Sequence, residues 1–208
     1  MGDGTYGGMI SDIKDDLKRP DLSAQIGQAI KDAISEFETK RFYFTEERAT
    51  RPTIAQKEWY SLPGDFQDVT GITLIDADGR RKQLVPKSFN WIEQRKTSNT
   101  YYSTPTYFCF FQQQIRLYPP PDTAYTMELV YSKSLEDVVE VTTASRWFTD
   151  GEVLIKRRAE ALVCSTVIQG PEAMQQADVF DNIAQAALSN LIAETARRSN
   201  TGRIEPTK

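Results

Sequence analysis

The residue types that could do chemistry are few and scattered. Histidine is absent from the 208 residues. That removes the commonest general base near neutral pH, the Ser-His and Cys-His nucleophile pairs and the commonest zinc ligand. Cys109 and Cys164 stand far apart without CxxC spacing and read as small buried hydrophobes in a reducing compartment. Carboxylates gather twice, at Asp12, Asp15 and Asp16 beside Lys14 and Lys18, and at Glu136, Asp137 and Glu140. Neither group brings a His, a Cys or a glycine-bearing calcium loop, so both read as solvated faces. Gly2, Gly4, Gly7 and Gly8 precede a helix but follow no strand and lead to no Lys-Ser/Thr, which argues against a phosphate cradle. Lys156, Arg157 and Arg158 suit a surface or an interface, and Arg197 and Arg198 complement a helix C-terminus. On these grounds we assign no catalytic, cofactor-binding or metal residue, and we expect no enzyme and no cofactor.

Aromatic residues carry more information. They crowd the middle of the chain, from Phe42, Tyr43 and Phe44 through Trp59, Trp91, Tyr101, Tyr102 and Phe108 to Tyr131. A small β-module cannot bury all of them on one inward face, so some are expected at a protein–protein interface, with Tyr101 and Tyr102 the candidates. Stacking on a sugar or a single strand is the competing use.

The elements that must position these residues follow from periodicity. Ile10, Ile13 and Leu17 predict a short helix over 9–17, after a mobile glycine-rich start at 1–8. Ile26, Ala29, Ile30, Ala33, Ile34 and Phe37 predict a second helix, capped by Asp21 or Ser23. The stretch Thr53–Asp65 reads as a loop, a strand over 59–62 and a Pro-Gly turn. Strands are then expected at 69–75 and 81–85, joined by a turn at Asp76–Gly79. A short helix capped by Ser88 and an exposed loop over 98–106 come next, then strands at 107–111, 114–118 and 125–131. Helical pattern returns after Phe148, with Thr149 or Asp150 as cap, and Gly170-Pro171 divides two final helices. The second of these carries Ala177, Phe180, Ala184, Ala187, Leu188 and Leu191 on its buried face. The fold class is therefore α+β. Residues 1–49 and 133–198 form a helical bundle, 50–132 an inserted antiparallel β-rich module and 199–208 an extended polar tail.

Bulk numbers narrow the function. Net charge is −4 with a pI near 5.1, which argues against a dedicated nucleic-acid binder. An acidic wall past which DNA slides remains compatible. Met1–Tyr6 has no basic n-region or apolar h-region, and no apolar run suits a membrane span, so synthesis and use in the cytosol are expected.

The order of these motifs resembles the head-to-tail adaptor, or connector, proteins of short-tailed bacteriophages. A helix ending in Lys40–Phe44 is followed by Trp59–Phe66, then Thr104–Tyr107, Ile115–Asp122 and Tyr125–Tyr131, and an Ala-rich helical pair closes the chain. The resemblance covers about residues 9–198. It implies a structural virion protein at the head–tail junction, in a ring, twelve copies by family habit, below the portal protein. Such a ring extends the channel for genomic DNA without binding it specifically, and offers a platform to tail nozzle or tail fibre proteins. It also implies that residues 199–208, with Arg203, Ile204, Glu205 and Pro206, reach onto the portal. The alternatives are a carbohydrate-binding tail module and a carboxylate-based cell-wall hydrolase, and no convincing acid/base pair supports the latter.

Overall fold

The computed structural model describes residues 4–96, 101–135 and 140–199. They form two compact units, one built on Met1–Thr45 with Leu135–Lys208 and the other on Glu46–Ser134.

In the helical unit, α1 (Tyr6–Leu17) starts earlier than its apolar spacing predicts. The Thr5 side chain accepts a hydrogen bond from the Gly8 N–H at 3.1 Å and caps it. Tyr6 is buried and donates its hydroxyl to the Gly27 carbonyl at 2.9 Å. Residues 4–8 are therefore ordered, against the expectation of a mobile start. Gly27 is what lets this contact form, since a Cβ there would lie 2.6 Å from the Tyr6 hydroxyl. α2 (Ser23–Glu38) buries Ile26, Ala29, Ile30, Ala33 and Phe37, as its spacing demands. It has no side-chain cap. A 3-10 turn over Pro20–Leu22 leads into it, and Asp21 pairs with Arg19 at 2.8 Å instead.

Phe42 and Phe44 stack at 5.1 Å and both meet the Trp147 ring edge-on. Trp147 lies in a 3-10 turn, Arg146–Phe148, capped by Ser145. The last two helices of this unit, here α4 (Glu152–Val163) and α5 (Pro171–Ser199), flank a π-helical turn at Cys164–Ile168. Neither Thr149 nor Asp150 caps α4. Asp150 is drawn away by the Tyr43 hydroxyl at 2.7 Å and by Arg146 at 2.8 Å.

The β unit is a two-sheet sandwich with an intervening short helix, α3 (Phe89–Glu93). Its strands are β1 (Glu46–Pro52), β2 (Trp59–Ser61), β3 (Phe66–Ile75), β4 (Arg81–Gln83), β5 (Val85–Pro86), β6 (Tyr107–Phe111), β7 (Gln114–Tyr118) and β8 (Thr126–Lys133). One sheet has the order β1-β8-β3-β4 and the other β2-β7-β6-β5. Ile72, Leu74, Met127 and Leu129 of the first share one core with Tyr60, Phe108, Ile115 and Leu117 of the second. β1 straddles the expected start of the β module at residue 50, where no strand is expected, because Glu46, Glu47, Arg48 and Arg51 mask its alternation. The expected return strand at 81–85 is broken at Leu84: β4 stays with β3, and β5 joins β6 in parallel. The Asp76–Gly79 turn forms as expected, with Gly79 at φ 79°.

Candidate interaction surfaces

Tyr101 and Tyr102 reach solvent, 70% and 40% exposed, in the loop before β6. The Ser103 N–H donates to the Pro120 carbonyl at 3.1 Å, so the base of that loop is tied to the connector after β7. Tyr125 holds the same region, meeting Thr104 at 2.8 Å and Asp122 at 2.6 Å through its hydroxyl. Arg203, Ile204, Glu205 and Pro206 lie outside the described residues, as do Glu136 and Asp137.

A cleft of about 420 Å³ opens beside the β3–β4 hairpin, lined among others by Asp76, Asp78, Arg80, Arg81 and Tyr125. Its charges are already engaged. Asp76 accepts the N–H groups of Asp78 and Arg80 at 3.0 and 2.8 Å, Asp78 pairs with Arg80 at 3.3 Å, and Arg81 holds Glu128. Asp76 and Asp78 thus serve the turn rather than standing as an acid/base pair.

Three buried charges were not anticipated from the sequence. Arg116, on β7, is buried and binds Glu58 at 2.8 Å and Glu93, while Trp59 and Phe89 lie against its guanidinium. Burial raises the Glu58 carboxyl and the Lys96 and Arg116 contacts outweigh it, leaving it below the usual carboxylate range. Glu128, on β8, is held between Arg48 of β1 and Arg81 of β4. Glu160, on α4, accepts from Arg157 at 2.6 Å. Burial pushes its carboxyl up to about 7, Arg157 opposing and the neighbouring Asp16 adding to the rise. An outward position within an alternating strand, as at Arg116, hints at such a charge, but its partners come from distant elements.

The acidic group on α1 divides. Asp16 pairs with Lys156 and Arg157, both at 3.1 Å, which links α1 to α4. Arg158 pairs at 2.7 Å with both Glu36 and Asp181, joining α2, α4 and α5. The basic run 156–158 therefore staples helices together. Cys109 and Cys164 are both free and buried. Among the described residues, no cluster of three or more His, Cys, Asp or Glu could hold a metal ion, and no helix is long and apolar enough to cross a membrane.

A helical unit and a β-sandwich unit, with ion pairs serving packing within each and aromatics left at the surface, define an α+β protein. The model of the SU10 adaptor protein family matches residues 4–206, spanning both units, and the chain belongs to that family. It is a bacteriophage structural adaptor, in agreement with the resemblance to head-to-tail adaptors. No curated protein matches the chain.

Proposed function

We propose that the protein is the head-to-tail adaptor of a short-tailed phage, a ring of identical subunits docked beneath the portal in the virion. The single observation that carries this reading is the family match over residues 4–206. Docking on a preformed ring presents many copies of one modest contact at once, so avidity makes attachment effectively irreversible while the free subunit stays soluble. A template with fixed rotation also closes head-to-tail contacts into a ring. In this reading the polar tail 199–208, with Arg203, Ile204, Glu205 and Pro206, reaches the portal, and Tyr101 and Tyr102 meet tail proteins or neighbouring subunits. The exposure of both tyrosines supports their part, because aromatic anchors dominate interface energetics. The acidic total suits a channel past which DNA slides without specific binding.

The test is deletion of residues 199–208. Portal binding should be lost while the circular dichroism spectrum and melting temperature stay those of the full chain. Undiminished portal binding by the truncated chain would remove the tail from the account.

A further inference from the structure

We propose that the outward face of α5 is a self-association surface, through which two copies of this chain pair as antiparallel helices. The inference is made for the chain alone and does not depend on the adaptor reading.

The inward side of α5 is buried at Ala173, Ala177, Ala184 and Thr195. On the opposite side Val179 is 57% and Ile183 40% exposed. From Met174 to Ala196 the exposed positions hold Met, Val, Ile, Ala, Gln, Asn and Ser, and Asp178 is their one charge. The exposed side of α2, in the same unit, carries Lys31, Asp32 and Glu36. A solvated helix face in a chain with 26% charged residues should resemble α2. Exposed branched aliphatics without charge resemble the centre of an interface instead.

The spacing is that of a coiled-coil seam. Exposed residues 172, 176, 179, 183, 186, 190, 193 and 197 follow one another in alternating steps of four and three. Glu172 opens the seam and Arg197 closes it. Arg197 also holds Glu194 at 2.8 Å, with its side chain 74% exposed. This distribution selects the occupant. An acidic or basic partner would find charge at one end only, whereas a second copy laid antiparallel sets Glu172 on Arg197 at both ends and opposes the two helix dipoles. The same register places Val179 against Asn190 and Ile183 against Ala186, so each branched side chain meets a smaller or amide side chain. A parallel copy would set Glu172 on Glu172 and Arg197 on Arg197. The seam runs roughly 38 Å at 1.5 Å per residue.

The test uses the full chain without phage components. Sedimentation equilibrium should show a reversible dimer. Val179→Glu with Ile183→Glu should weaken it at least about tenfold, with the helical circular dichroism signal kept because both positions face solvent. Glu172→Arg and Arg197→Glu should each weaken the dimer, and the two changes together should restore it. Under mild oxidation, Val179→Cys mixed with Asn190→Cys should form a heterodimer disulfide, and Val179→Cys alone should not; the native cysteines are buried. A wild-type monomer at roughly 200 µM, a dimer unaffected by the paired glutamates, or Val179→Cys cross-linking only to itself would overturn the proposal.

Discussion

The two units solve the burial of charge in opposite ways. In the helical unit the core is apolar, and ion pairs lie around it as staples between helices: Arg158 to Glu36 and Asp181, Lys156 and Arg157 to Asp16. Glu160 is the exception. In the β unit the charges enter the layers themselves, with Arg116 beneath aromatic rings and Glu128 held by arginines from β1 and β4. Net charge divides the same way. The β unit holds eleven Lys and Arg against ten Asp and Glu, and the helical unit fourteen against nineteen, so the acidity of the chain belongs to the helices. A helix bundle gains its specificity from the shape of an apolar stripe, whereas short strands with ambiguous register need polar contacts that only one pairing satisfies.

That contrast can be broken by mutation. The largest effect is expected at Trp147, 2% exposed between Phe42 and Phe44. Trp147→Ala should cost about 3–5 kcal/mol in urea unfolding; a loss below about 1 kcal/mol would show that the aromatic plug does not organise the helical unit. Next comes Arg116→Met, which keeps the volume but leaves Glu58 and Glu93 unpaired. It should cost about 2–3 kcal/mol, less than for a fully enclosed pair because Glu93 is half exposed. Adding Glu58→Gln and Glu93→Gln should recover most of the loss, and no recovery would mean that the pairing does not hold this sheet.

The smallest effect concerns Glu160 and depends on pH. Its carboxyl holds a proton up to about pH 7 in the fold, and an unfolded glutamate loses it near 4.3. The folded state thus binds more protons between these values, so the contribution of this group is full at low pH and falls as pH rises through 7. Glu160→Gln should flatten the decline in stability from pH 5 to pH 8 by about 1–2 kcal/mol, an order-of-magnitude figure from the size of the shift. Parallel curves for the two proteins would locate the pH dependence elsewhere.

How much was legible in the sequence follows from the same contrast. α2 and the buried face of α5 were readable because Ile26, Ile30 and Phe37, or Ala177 and Ala184, repeat at helical spacing with nothing competing. The Asp76–Gly79 turn and the Ser88 cap were readable because each is made by its own residues. The start of α1 was not, since Gly7 and Gly8 read as loop and the Tyr6 contact with Gly27 is made across two helices. β1 was missed because its charges serve partners on β8 and hide its alternation. The surface tyrosines 101 and 102 were found by elimination, as aromatics that no short strand could bury. Arg116, Glu128 and Glu160 depend on partners far away in the chain, which no local pattern encodes.

The most direct test of the adaptor account is the native mass of the purified chain, alone and after mixing with portal rings. The account predicts a small soluble species of one or two subunits that is converted by the portal into a complex with a fixed, multiple number of adaptor copies per ring. A chain whose mass stays unchanged in the presence of portal rings would contradict it.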